Sequence, residues 1–284
     1  MSELFSIMWL PACACLVLVA ILGYLGMHVL TRGIIFVDLA LAQFAALGST
    51  VAIFIDSESL HSMSWAVALG FTLVGALLFS FSRIRELEVP QEAFIGVAWV
   101  VASGGTVLAV SSAPHGSEHI EATLVGSILW VTPGEVARAA GVYALVGVFH
   151  WLYRKRFFTI SLDVDAARAA GVHVRWWDFL FYASFGFVVS SAVHIAGVLL
   201  VFSFLIVPSI VGALFARGIG ARLAIGWVFG WVVSILGCVL SYSADLPTGA
   251  TVVVTFGAAL VVAVALHRLR SRSNGKPDSA MARM

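Results

Sequence analysis

The chain alternates long apolar blocks with short polar interruptions. Blocks near Phe5–Val29, Ile34–Ile55, Trp65–Phe81, Phe94–Val110, Ala137–Leu152, Phe179–Val193, Ile195–Leu214, Leu223–Leu240 and Thr251–Leu266 show neither the strict alternation of a half-buried strand nor the single apolar stripe of a water-facing helix. A helix needs about 20 residues to cross the hydrocarbon layer, with a range of roughly 17–25. The pattern therefore predicts an all-α polytopic membrane protein with about nine transmembrane helices, read as a single transmembrane domain over 1–284 with its spans inside 5–266. Two polar stretches stand out: a connection over 154–178 and a Gly- and Ser-containing tail over 271–284 that is expected to be disordered.

Composition strengthens this reading. Apolar residues make up 61% of the 284 positions and charged residues only 11%, against about 25% charged in an ordinary soluble domain. A net charge of +1 gives nucleic-acid binding no electrostatic footing. Cys13 and Cys15 lie in an apolar block with no second cysteine pair to complete a zinc or iron–sulfur set.

The placement of the basic residues adds orientation. With nine spans, 15 of the 16 Lys and Arg residues share one side: Arg32, the pair Arg83 and Arg85, five between Arg154 and Arg175, the pair Arg217 and Arg222, and five from Arg268 onward. Only Arg138 dissents. Because such residues are retained in the cytoplasm, the N-terminus is expected outside and the C-terminus inside. Met1–Phe5 carries Glu3 and no Lys or Arg, unlike the basic n-region of a cleaved signal peptide, so the first block is expected to stay as a span.

Ionisable groups inside spans are costly and point to function. Asp38 is the clearest, within FVDLALAQFAALG, and Gln43 follows five residues later. The plainer role for Asp38 is to cap or pair at the end of its helix. His194, at the outer end of the sixth block, is a candidate metal ligand because neutral imidazole suits zinc and similar ions. His28, His150 and His267 have weaker claims. In the outer loop, His115, Glu118 and His119 have the H-x-x-E-H spacing of one zinc peptidase class. They sit in a short exposed loop with Gly116, which fits loose metal collection or plain solvation better than an intramembrane protease. On the opposite side, Ser161–Gly171 (SLDVDAARAAG) reads as a short Ala-rich helix with Asp163 and Asp165 at its start, where the helix dipole favours anions. It suggests a docking surface. No G-x-x-x-x-G-K-[ST] loop occurs, so any nucleotide would bind another chain. An ion-coupled secondary transporter using Asp38 is the competing reading, although no inverted repeat is evident.

Several motifs then coincide in order and spacing. GVLLVFSFLIVPSIVGALFARG (Gly197–Gly218) and LSYSADLPTGATVVV (Leu240–Val254), with EAFIGVAWVVASGG, LVGSILWVTPGEV and LDVDAARAAGV upstream, resemble the permease subunits of zinc, manganese and iron ABC importers. The resemblance runs from about Arg32 to Leu266. It implies a bundle akin to the vitamin-B12-type importers, in a bacterial inner membrane. Two copies would work with two cytoplasmic ATP-binding subunits and an extracytoplasmic metal-binding protein. The cargo would be a divalent metal, zinc first and then manganese or iron, with no tightly bound cofactor and with ATP on the partner. It also implies that Asp163–Gly171, including Asp165 and Ala170, couples to the ATPase. Where that family carries Asp-x-Leu-Ala-His in its second span, Leu39 and Gln43 stand here, with Asp38 one residue earlier. Gln is a poor zinc ligand and a tolerable oxygen donor for harder ions.

Overall fold

A computed structural model describes residues 2–55, 62–82, 89–111, 126 and 128–273. Their helices are α1 (Ser2–Arg32), α2 (Val37–Ile55), α3 (Ser62–Phe81), α4 (Gln91–Ser111), α5 (Pro133–Leu152), α6 (Arg154–Leu162), α7 (Val164–Ala169), α8 (Val174–Ala196), α9 (Val198–Phe215), α10 (Ile219–Ala244) and α11 (Thr248–Ser273), with a 3₁₀ turn at Ile128–Trp130. There is no strand among the described residues.

Each apolar block of the sequence is helical, but the span count of nine is not thereby established. By length and composition, α1, α4, α8, α9, α10 and α11 can cross a membrane. The pair α5 and α6, bent by 73° at Tyr153, makes a seventh span if it is one. Helices α2 and α3 contribute only the shorter apolar stretches Val37–Ala52 and Trp65–Phe81.

Two groups of helices share the packing. In one, α1 lies against α9 and α10, which also pack on each other and on α11. In the other, α2 packs on α3 and α4, and α8 closes against α2 and α3. Small residues make the first group tight. A Cβ on Gly26 would meet the Leu205 carbonyl oxygen at 1.9 Å, and one on Gly230 would meet Val19 at 2.6 Å, so these helices approach as closely as backbones permit. The indoles of Trp227 and Trp231 donate to the α1 carbonyls of Ala20 and Leu16 at 2.9 and 3.1 Å. That order runs α10 antiparallel to α1, which brings the start of α10 to the same end of the bundle as Arg32.

Helix ends are set by local chemistry. At the close of α1, Gly33 takes φ +67, its N–H reaches the Leu30 carbonyl, and the next N–H, from Ile34, reaches back to Val29. This is the Schellman arrangement, which satisfies carbonyls that a helix end leaves orphaned. Ile34 and Val29 are both fully buried, supplying the apolar contact that accompanies it. Helix α5 begins at Pro133 behind a capping box in which Thr132 and Glu135 bond reciprocally. The sequence-based start at Ala137 was therefore four residues late, and Arg138 lies in the second turn of this helix. At the other end of α8, Gly197 (φ +77) is the single residue separating it from α9. Gly126 passes so near that a Cβ on it would sit 2.3 Å from the Ala196 and Gly197 backbone.

Candidate functional site

The helix ends marked by Arg32, Arg175, Arg222 and His267 gather at one end of the bundle, called here the basic end. Two structures are built there. The first is a charged layer in which α1, α6 and α8 meet. Arg32 donates through Nη1 to Asp178 Oδ1 at 2.8 Å and through Nε to Ser161 Oγ at 2.8 Å. Its guanidinium lies 3.9 Å from the centre of the Phe181 ring. Both charged side chains are essentially inaccessible, at 0% and 1% exposure. Ser161 Oγ also meets His28 Nδ1 at 2.9 Å. His150, stacked on Phe157 at 4.4 Å, reaches Ser184 Oγ at 2.8 Å. These two histidines, weak candidates by sequence, are buried and tied to serines. His267 instead meets the Phe215 ring edge at 5.6 Å.

Beside this layer, Asp38 occupies the first turn of α2 and is only 2% exposed. Backbone N–H groups of Leu39 and Asp38 itself face its carboxylate, yet Oδ1 has no hydrogen-bond partner. Arg32 pairs with Asp178 rather than with Asp38. Glu92, in the first turn of α4, accepts the Phe36 N–H at 2.9 Å through Oε1, while its Oε2 is buried and unpartnered. Two carboxylates, each with an unpartnered oxygen, therefore meet where α2 and α4 begin. Gln91 secures this corner by donating to Phe79 O, Ser82 Oγ and the Tyr182 hydroxyl at 2.9 to 3.1 Å.

Gln43 is half-buried and, five residues on, sits about 140° around α2 from Asp38, so the two do not share a helix face. His194 is exposed in the last turn of α8. His115, Glu118 and His119 fall outside the described residues. Among the described residues, no group of three or more His, Cys, Asp or Glu side chains could hold a metal ion. Asp38 lies in the first turn of α2 and His194 in the last turn of α8.

The second structure is the segment between α5 and α8. After the 73° bend, α6 buries Phe157, Ile160 and Ser161 and exposes Arg154, Lys155 and Arg156. The guanidiniums of Arg154 and Arg156 lie over the rings of Trp151 and Trp177, at 4.8 Å in each case. The short helix expected over Ser161–Gly171 is smaller than the sequence suggested. Ser161 and Leu162 finish α6, and Asp163 is extended (φ −151, ψ 97) so that its side chain accepts the Ala166 N–H at 2.9 Å. Such an N-cap cannot itself be helical, so α7 starts only at Val164. It ends as α1 does: Gly171 at φ +74, its N–H to Arg168 O and the Val172 N–H to Ala167 O. Ala167 is buried, while Asp165, Ala166, Ala169 and Ala170 are exposed. Asp165 and Arg168 pair at 3.2 Å. The result is a rigid, two-turn knob of small side chains, capped at both ends.

Glu92 and the Arg32–Asp178 pair escaped the sequence reading. For Glu92 the signal was an acid in the first turn of a span. For the ion pair no spacing could have given it, since its members are 146 residues apart.

The chain is thus an all-helical bundle with six or seven helices able to cross a membrane and a capped knob at its basic end. The chain belongs to the ABC 3 transport family, whose model matches residues 5–267. It is 28% identical over 215 residues to a Thermotoga maritima protein named "Probable metal transport system membrane protein", covering 75% of this chain and 72% of that one. It is 24% identical over 190 residues to the manganese import system permease protein ScaB of Streptococcus gordonii, covering 66% of this chain and 67% of that protein. In fold it is similar to PsaBC from Streptococcus pneumoniae, solved in complex with Fab, with a TM-score of 0.76 and 20% identity over 92% of this chain and 94% of that one.

Proposed function

We propose that the chain is the membrane-spanning subunit of an ATP-driven importer for a divalent transition metal, forming the ion path by alternating access between two copies of itself. In this reading the N-terminus is outside and the basic end faces the cytoplasm, where a separate ATP-binding subunit docks. An extracytoplasmic metal-binding protein delivers the ion on the far side. What carries the reading is α7. A six-residue helix fixed by a side-chain cap at one end and a Schellman turn at the other, presenting Asp165, Ala166, Ala169 and Ala170 outward, can transmit a push without deforming. The family match and the metal-transport roles that the relatives' names carry support it.

The donors favour a harder ion than the zinc expected from sequence. Asp38 and Glu92, which meet where α2 and α4 begin, offer carboxylate oxygens, which suit manganese better than zinc. An ion held by few ligands can also be released.

The test is uptake of radiolabelled manganese, iron and zinc by an uptake-deficient strain. The strain would express the chain with candidate ATP-binding and metal-binding partner proteins from the same genome. Uptake should require all three proteins and favour manganese. Uptake that persists with an ATPase unable to hydrolyse ATP, and that depends on Asp38 and on a proton gradient, would overturn the reading in favour of the secondary transporter.

A further inference from the structure

Helices α10 and α11 do not stay together along their length. Away from the basic end they touch closely, since a Cβ on Gly237 would sit 2.9 Å from the Val252 backbone. Toward the basic end they part, and a groove of about 730 Å³ opens between them with α9 as its floor. That volume lies within the roughly 300–1,000 Å³ of known small-ligand sites. All twelve residues lining the groove are apolar, among them Phe215 of α9, Ala224 and Val228 of α10, and Val262 and Leu266 of α11. Val228, Val262 and Leu266 are more than half exposed.

The groove ends among cations. Arg217 follows Phe215 by two residues and is exposed. Arg222 precedes Ala224 by two and is held there by donating Nε to the Ala216 carbonyl at 3.0 Å. Arg268 and Arg270 are exposed just past Leu266. No Asp or Glu occurs between Pro208 and Ala244 or between Thr248 and Ser273, so α9, α10 and α11 bring no acidic group of their own to this mouth.

We propose that this groove is a binding site for an anionic phospholipid of the leaflet at the basic end, with an acyl chain along the groove and the phosphate among Arg217, Arg222 and Arg268. Basic pockets between spanning helices recognise anionic headgroups, and here an apolar channel of matching direction leads from the basic mouth. A second protein copy fits less well. Helices associate in lipid through small residues that allow close approach, whereas nine of the twelve lining residues are Val, Ile, Leu or Phe.

The experiment is native mass spectrometry of the full-length protein, purified in detergent and equilibrated with an equimolar mixture of phosphatidylglycerol and phosphatidylcholine. At least tenfold more phosphatidylglycerol than phosphatidylcholine should stay bound. The double variant Arg217→Gln/Arg268→Gln, which changes only exposed side chains, should bring that ratio within twofold of one. Ala224→Trp, which fills the groove, should release both lipids, with its thermal melt confirming that it folds. Equal retention of the two lipids by the unaltered protein would overturn the proposal. So would undiminished phosphatidylglycerol retention by a folded Ala224→Trp variant. If that variant instead loses a dimer without losing lipid, the groove is an interface between copies.

Discussion

At the basic end, two buried acids are treated in opposite ways. Asp178 is matched by Arg32 at 2.8 Å, with Ser161 and the Phe181 face completing the surroundings of the guanidinium. Asp38 is just as buried, yet one of its oxygens faces no partner, and the neighbouring Glu92 leaves an oxygen unpartnered as well. Burying a charge in a low-dielectric interior is costly unless it is paired and hydrogen-bonded. The first arrangement holds α1, α6 and α8 together. The second spends stability that the fold does not need to spend, which is the pattern of a site kept open for something that passes through or binds.

The comparison can be broken most forcefully at the pair. Removing one partner of a buried ion pair costs about 3–5 kcal/mol, because the other charge is left uncompensated. Asp178→Ala should therefore lower the thermal midpoint of the detergent-solubilised protein sharply or prevent its accumulation in the membrane. Arg32→Met/Asp178→Leu, which removes both charges while keeping volume, should recover most of that loss. A double variant no more stable than Asp178→Ala would show that the pair is not what holds this layer together.

Asp38 should behave in the reverse sense. Asp38→Asn keeps the shape and removes a charge with no ion-pair partner, so its melting midpoint should match that of the unaltered protein or exceed it. Metal uptake through the complete importer should fall by at least about tenfold, the equivalent of roughly 1.4 kcal/mol. Uptake unchanged in Asp38→Asn would make the residue a tolerated defect and remove α2 from the ion path. Glu92→Gln should share the uptake effect on a smaller scale but differ in stability. It weakens a charge-assisted bond to the Phe36 N–H, a loss of about 0.5–1.5 kcal/mol, and it should lower uptake less than Asp38→Asn.

How far the sequence disclosed these features depended on their range. Block lengths disclosed where the helices lie, because hydrocarbon thickness acts on contiguous residues. They could not decide whether the shorter stretches of α2 and α3 span the membrane. Asp38 was visible as a lone acid in an apolar run. Glu92 was not, since an acid in a first helical turn is unremarkable, and its partner Phe36 lies 56 residues away. The Thr132–Glu135 capping box is legible in T-P-G-E, a Thr followed three residues later by a Glu. The start of α7 turned on a single side-chain bond, Asp163 to the Ala166 N–H, which the Ala-rich composition around it concealed.

Asp163 is the calibrating case, an acid at the same end of the bundle but exposed, whose partner is a backbone N–H rather than a cation. Replacing such an N-cap with Ala costs about 0.5–2 kcal/mol of local stability, a loss confined to the six residues of α7 because Asp163 contributes nothing to the buried layer. Asp163→Ala should leave the global melting midpoint within about a degree or two of the unaltered protein. It should weaken stimulation of ATP hydrolysis in the assembled importer, since a frayed α7 absorbs motion instead of passing it on. Asp163→Asn and Asp163→Ser, which can still accept the Ala166 N–H, should restore coupling. If Asp163→Ala couples normally, the rigidity of α7 is incidental and the docking surface lies in the side chains of α6. If Asn fails where Asp succeeds, the negative charge itself contacts the ATP-binding subunit, and Asp163 joins Asp38 as an acid whose partner lies outside its own chain.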